Sequence, residues 1–157
     1  MTTGKLTKHV SIKEVTRSYT ASKHGVDNSI PNQKMYETIK LTAESVFEPV
    51  REHFGVPLYI SSFFRSQALN DAIKGSSKTS QHSKGEAIDI DADVYGGVTN
   101  KEVFEFIKDN LVFDQLIWEY GDDSNPNWVH VSYSKTHNRK SVLRAYRENG
   151  KVKYKKY

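Results

Sequence analysis

Three side chains carry nitrogen and oxygen lone pairs in settings that could bring them together: His82, Asp89 and His130. His82 lies in the loop-like stretch Ser80-Gln81-His82-Ser83-Lys84-Gly85, and Asp89 follows inside the alternating run Glu86-Ala87-Ile88-Asp89-Ile90-Asp91. A loop that returns directly into a strand can place both groups at one point. Successive strand side chains point to opposite faces, so Glu86, Ile88 and Ile90 are expected on one face and Ala87, Asp89 and Asp91 on the other. Asn127 to Ser134 alternates in the same way, with His130 beside Trp128, Ser132 and Ser134, opposite Val129, Val131 and Tyr133. Mid-strand side chains have well-fixed rotamers. Two histidines and one aspartate suit zinc in sites that leave a fourth position for water. A strand histidine is equally well read as a hydrogen-bonded core residue, so pattern alone leaves both readings open.

Composition narrows the chemistry. The 157 residues include no cysteine, which removes disulfides, thiolate zinc knuckles and cysteine nucleophiles and leaves His and carboxylates as metal ligands. Hydrophobic residues at 36% with 27% charged describe a globular chain, and its length suits one domain over residues 1–157. No apolar run approaches the roughly 20 residues that cross a bilayer, so no membrane partner is expected. The formal charge is +4, with Lys151, Lys153, Lys155 and Lys156 near the C-terminus. That charge fits either an anionic partner or a solvated basic tail. With no helix-turn-helix or aromatic-basic platform, nucleic acid is not the expected partner.

The elements that must position these groups follow from periodicity and caps. Ser11-Ile12-Lys13-Glu14 has capping-box spacing and predicts a helix toward Thr20. From Gln33 to Phe54 apolar residues recur every three or four positions, predicting one core helix kinked at Pro49 and stopped by Gly55. Leu58 to Phe64 reads as a strand, Ser66 as the cap of a helix through Ala72 to Gly75, and Thr99-x-x-Glu102 as the start of another helix. Strands are predicted at Gln115 to Glu119 and Asn127 to Ser134, with a hairpin of Val142 to Arg147 and Lys151 to Tyr157 around Asn149-Gly150. The predicted class is α+β: helices packed on a small central antiparallel β-sheet that carries a zinc site.

The pattern Ser80-x-His82-x-x-Gly85-x-Ala87-x-Asp89-Ile90, followed by Trp128-x-His130, resembles the signature of the LAS-type zinc peptidases. That group includes D-alanyl-D-alanine carboxypeptidases, D-alanyl-D-alanine dipeptidases and phage L-alanyl-D-glutamate endopeptidases. The likeness runs from about Ser11 to Tyr133 and takes in Asn28-x-x-Pro31, Ser61-Ser62-Phe63-Phe64-Arg65-Ser66 and Phe113-Asp114-Gln115-Leu116-Ile117-Trp118-Glu119. The resemblance implies that His82, Asp89 and His130 are the zinc ligands and that Arg65 polarises the scissile carbonyl or holds substrate.

Peptide hydrolysis at zinc also needs a carboxylate to move a proton from water to the leaving amine. Many members of the group place it three residues before the last histidine, where this chain has Asn127, which cannot take that role. Glu119 is the expected base instead, because its strand could pair antiparallel with the His130 strand and aim a carboxylate at the metal. Asp122 and Asp123 are the alternatives, although they read as turn formers. Ser80 either hydrogen-bonds substrate or turns its loop, and Trp118 and Trp128 either line the cleft or fill the core. His9, His24, His53 and His137 read as surface residues.

The function implied is a zinc-dependent metallopeptidase acting on the D-amino-acid-containing stem peptides of peptidoglycan, endolysin-like, of D-Ala-D-Ala carboxypeptidase or L-Ala-D-Glu endopeptidase type. The alternative is a catalytically inactive zinc-binding module that recognises cell wall, suggested by Asn127. A monomer is expected. Met1 to Val15 holds no signal-type hydrophobic stretch, so synthesis in the cytoplasm without a signal peptide is expected. Action would be at the bacterial cell wall, as a phage lysin or virion-associated protein.

Overall fold

The computed structural model describes residues 3–73 and 79–157. Its centre is a six-stranded sheet in the order β3-β4-β6-β5-β7-β8, built from β3 (Tyr59–Ser62), β4 (Ala87–Asp91), β5 (Gln115–Glu119), β6 (Trp128–Ser132), β7 (Ser141–Glu148) and β8 (Lys151–Lys156). A small hairpin, β1 (Lys5–Thr7) and β2 (Val10–Ser11), precedes the helices α1 (Ile12–Thr16), α2 (Tyr19–His24), α3 (Gln33–Val46) and α4 (Glu48–Phe54). Two more helices, α5 (Gln67–Ala72) and α6 (Asn100–Asn110), lie between strands. Among the described residues no helix is long and apolar enough to cross a membrane.

Both expected capping boxes are present, at Ser11 with Glu14 and at Thr99 with Glu102. The single helix expected from Ser11 to Thr20 is two. Arg17 is extended (φ −62°, ψ 128°), and Ser18 begins again as a cap whose side chain accepts the Ala21 N–H. The long helix from Gln33 to Phe54 is interrupted at Phe47, two residues before Pro49, which separates α3 from α4. Phe47 stays in the right-handed helical region but with φ stretched to −112° (ψ −55°), and Pro49 falls in the first turn of α4, where its missing N–H costs nothing. Gly55 ends α4 in the left-handed region, as expected. Ser66 caps α5, which ends at Ala72; the expected extension to Gly75 lies outside the described residues.

The sheet is mostly antiparallel, with one departure from expectation: β5 and β7 are parallel, Gln115 opposite Ser141 through Glu119 opposite Ala145. β6 runs back along β5 and ends near the start of β5, so a short return loop drops β7 beside that same end, pointing the same way. Three backbone bonds fasten the loop there: Arg139 N–H donates to the Asp114 carboxylate, Lys140 N–H to Phe113 O and Ser141 N–H to Asp114 O. β7 and β8 then form the expected hairpin, with Asn149 and Gly150 at φ 53° and 75°, the two left-handed residues that a tight hairpin turn requires.

One face of the sheet is the core. Ile88, Ile90, Leu116, Trp118, Val129 and Val131 are at most 1% exposed. α3 covers β4 and β6 while α6 covers β5 and β6, contributing Ile39, Ala43 and Val46, and Val103, Phe104 and Ile107. The opposite face presents Asp89, His130, Ile117 and Glu119, brought side by side by the pairings Asp89–His130 and His130–Ile117.

Asn100, fully buried at the start of α6, ties the strands of this face together. Its side-chain oxygen accepts the Ala92 N–H at 2.7 Å, and its amide nitrogen lies 3.0 Å from Asp91 Oδ1, 3.0 Å from Asn127 O and 3.3 Å from Pro126 O. It thereby joins the end of β4 to the entry of β6. Removing it leaves buried polar groups without partners. Asn100→Ala should lower unfolding stability by about 2 to 4 kcal/mol in urea titrations; a midpoint equal to that of the parent would contradict this role.

Candidate metal centre

Each of the three candidate side chains is delivered by a separate device. His82 sits in a single 3₁₀ turn, Gln81–Lys84, capped by the Ser80 side chain, which accepts the His82 N–H at 3.2 Å. Gly85 closes the turn at φ 72°, and a Cβ there would lie 2.8 Å from both Ile39 Cγ1 and Met35 Sδ. A larger residue would be strained at this φ and would force the turn or the Ile39 and Met35 side chains of α3 to shift. Asp89 and His130 come from neighbouring strands in direct register. Glu86, expected to share a face with Ile88 and Ile90, lines the cleft instead. The turn still holds residue 86 on one side, its N–H donating to Gln81 O while its carbonyl already accepts the Tyr133 N–H, and the register of β4 with β6 runs from Ala87.

His82 Nε2 lies 3.3 Å from Asp89 Oδ1, and His130 Nδ1 lies 3.0 Å from the same oxygen. The three ligand atoms are all within 4.8 Å of one another and all three residues are buried. Zinc bonds of about 2.0–2.2 Å arranged tetrahedrally put ligand atoms about 3.3–3.6 Å apart, so the spacing is close to what one ion needs. The protonation pattern fits as well. His82 Nδ1 is 2.7 Å from Phe63 O, a carbonyl that only accepts, so the ring proton sits on Nδ1 and Nε2 turns a lone pair inward. His130 Nε2 faces the Gln81 side-chain oxygen at 2.9 Å, which likewise leaves Nδ1 as the inward acceptor. Two lone pairs and a carboxylate facing one another require either a shared proton or a cation. Burial opposes charge on Asp89; when the cluster shares protons instead of a cation, His82 and His130 donate to the carboxylate and their charge outweighs burial, holding the carboxyl well below the usual carboxylate range.

These residues floor a cleft of about 1030 Å³ that also takes in Arg65, Ser80, Glu119, Trp128 and Tyr154. Glu119 shares the His130 face two residues beyond Ile117, the partner of His130. Burial pushes its carboxyl up to about 7; the His130 charge opposes this and the Asp89 charge adds to it. Arg65 is half-buried, with Nη2 3.4 Å from Ser62 Oγ, and Asp89 attracts its guanidinium against the cost of burial. Asn28 holds the Arg65 turn in place. Its amide donates to Thr16 O and Phe64 O and its oxygen accepts the Ser66 N–H.

The remaining candidates separate cleanly. Trp118 is core, edge-on to Phe104, while Trp128 lines the cleft. Asp122 accepts the Ser124 and Asn125 N–H groups as a turn former, and Asp123 pairs with Arg144 at the surface. Asn127 is exposed. Two of the histidines read as surface residues have structural partners. His53 stacks on Phe106 at 4.1 Å, and His9 clamps Glu48, whose carboxylate also accepts the Thr7 hydroxyl. His9, Glu48 and Glu52 form a second cluster of candidate ligands, but Lys8 pairs with Glu52 and the Glu48 oxygens are taken by Thr7 and His9. His137 lies at the rim of the metal cleft.

Residues 8–132 match the family described as Peptidase M15. The chain belongs to that family. M15 peptidases are metallopeptidases, zinc dependent in general, and the match agrees with the LAS-type resemblance. It covers β4, β5 and β6 with every cluster residue and stops before β7 and β8. No curated protein sequence matches this M15 family member.

Two outcomes test the centre. Protein loaded with zinc and dialysed should retain about one ion per chain, and Asp89→Ala well under a tenth of that, by elemental analysis, since the remaining pair of imidazoles is an incomplete set. Equal retention would exclude Asp89 as a ligand. Glu119 gives a pH signature in metal-free protein. Its folded pKa near 7 exceeds the ordinary 4.5, so the folded state holds the extra proton and stability falls as pH rises between these values. Above about pH 7, metal-free Glu119→Gln should be more stable than the parent by up to about 3 kcal/mol, with the gap closing below about pH 4.5. A gap independent of pH in chelator-containing denaturation curves would refute the buried, uncompensated carboxyl.

Proposed function

We propose that this M15 peptidase is a single-zinc hydrolase of the stem peptides of peptidoglycan, with His82, Asp89 and His130 holding the ion. The observation that carries the reading is the convergence of His82 Nε2, Asp89 Oδ1 and His130 Nδ1 on the floor of an open cleft, with both rings fixed so that lone pairs point inward. Zinc held there supplies Lewis acidity toward a carbonyl and makes water a competent nucleophile near neutral pH.

The chain's own groups supply the rest. Glu119, with its carboxyl near 7, takes a proton from the attacking water and returns it to the leaving nitrogen, a task that suits a pKa close to the working pH. Arg65 is charged throughout and lies in the same cleft, where it stabilises negative charge on the carbonyl oxygen or holds a substrate carboxylate. Ser80 lines the cleft while capping the His82 turn, so it serves the turn and remains available to substrate. The bond cut is that of a terminal D-alanine or the one following L-alanine, and the protein acts at the bacterial cell wall as a phage lysin or virion-associated hydrolase. The lysines of β8 are exposed, which favours an anionic wall polymer as the surface approached.

Asn127 supports the second reading, a zinc-holding module without turnover. Mass spectrometry of muropeptides incubated with zinc-loaded protein separates the two and identifies the bond from the fragments. The parent should release fragments, and Glu119→Gln should lose about 10²- to 10⁴-fold in rate while its zinc content stays at that of the parent. Unchanged turnover in the variant would remove Glu119 as base, and a parent that retains zinc but releases nothing would favour the non-catalytic module.

A further inference from the structure

The two rings of the cluster are held by different kinds of partner. His82 is fixed by the backbone carbonyl of Phe63, which only accepts. His130 Nε2 faces the side-chain amide of Gln81, and an amide can present either oxygen or nitrogen. What settles its orientation lies on its far side. Gln81 Nε2 is 3.1 Å from Asp114 Oδ2, and an ionised carboxylate accepts only. Asp114 is kept ionised by Arg139, whose Nε and Nη2 lie 2.9 Å and 2.8 Å from its two oxygens and whose backbone N–H adds a third bond at 3.1 Å. Those bonds outweigh burial and hold the Asp114 carboxyl below its ordinary range.

The consequence runs inward one bond at a time. The Gln81 NH₂ must face Asp114, so its oxygen faces the ring. Gln81 therefore asks for the ring hydrogen on Nε2, while Asp89 Oδ1, 3.0 Å from Nδ1, asks for one on the other side; a cation between Nδ1 and Asp89 removes that second demand and leaves the Nε2–H form that Gln81 favours. The other tautomer would place a hydrogen on the atom that has to meet the metal.

We propose that Gln81 is a positioning residue: oriented by the Asp114–Arg139 pair, it selects the His130 tautomer whose Nδ1 can bind the ion. The proposal rests on the metal reading for its purpose, but the tautomer is measurable without metal. Partners of this type, bonded to the outer nitrogen of a ligating histidine, set both ring orientation and ligand basicity. Arg139 lies beyond the family match at residues 8–132, so part of this arrangement comes from the return loop that starts β7.

Long-range ¹H–¹⁵N spectra of histidine-labelled protein report which ring nitrogen carries hydrogen, and chelator competition reports zinc affinity. In metal-free Asp89→Ala at alkaline pH, where no carboxylate competes for hydrogen at Nδ1, His130 should be the Nε2–H form. Added to that background, Gln81→Leu should give a mixture at His130 and leave His82 unchanged; on its own, with Asp89 intact, it should bind zinc about 10- to 100-fold more weakly. The double variant Gln81→Glu with Asp114→Asn, in which the Asn amide can donate to one carboxylate oxygen while the other faces the ring, should restore the Nε2–H form. If His130 stays wholly Nε2–H when Gln81→Leu is added to Asp89→Ala, and Gln81→Leu alone leaves zinc affinity unchanged, the proposal fails. It fails too if both histidines shift together, because that reports general disturbance. A parent that takes up no zinc, with the tautomer change in the Asp89→Ala background confined to His130, would retain the role of Gln81 and overturn the metal reading instead.

Discussion

Register across three strands is the constraint on which the site depends. Asp89 lies opposite His130, and His130 opposite Ile117, so one alternation assigns every side chain of β4, β5 and β6 to core or cleft. A slip of one residue would carry Asp89 and His130 into the apolar layer and bring isoleucines and valines out. The core face resists that slip: six strand residues on it are at most 1% exposed, and burying each such side chain is worth about 1.5 to 3 kcal/mol. Apolar packing on one face thus fixes the position of polar groups on the other, and the cluster needs no stability of its own to be assembled.

Assembled in this way, the cluster is under electrostatic tension. His82 and His130 turn lone pairs toward the Asp89 carboxylate, and Glu119 nearby is pushed up to about 7 chiefly by burial. In an apolar surrounding such groups destabilise the fold unless positive charge joins them. A cation bound there would relieve that repulsion, and an ion that binds the folded state and not the unfolded one stabilises the fold.

How much of this is legible in the residue string depends on how local each cause is. The capping boxes at Ser11 and Thr99, the Asn149-Gly150 turn and the alternation around Asp89 and His130 depend on neighbours within a few positions, and the structure places them as the pattern does. The Ser80 to Asp89 spacing is also local, and it brings His82 to Asp89 through one short turn. Breaks at Arg17 and Phe47 are less legible, because extended backbone at Arg17 is held by distant groups, including its guanidinium on Ile60 O. Asn100, the Asp114–Arg139 pair and the parallel course of β7 are invisible to periodicity altogether. Each joins segments far apart in the chain, and a polar residue in a loop gives no sign of which carbonyl it will meet.

The parallel strand also changes the reading of the basic C-terminus. Within residues 8–132, β5 would have no partner on the side away from β6, leaving an open strand edge beside the cleft. β7 covers that edge and β8 covers β7, which moves the exposed edge outward to a strand rich in lysine. Charged edges resist pairing with other chains, so Lys151, Lys153, Lys155 and Lys156 have a structural reason to be there whatever they approach. At the other end of the sheet, β3 is shielded differently, by α1 and the Arg17 contact to its backbone. On the cleft side, Leu143, Arg147, Val152 and Tyr154 share the face of His130 and Glu119 and stand in the same cleft. One added hairpin therefore caps the sheet and extends the wall against which a substrate would lie. A residue there answers to both demands, and only a change that alters cleft shape while sparing the strand pairing could separate them.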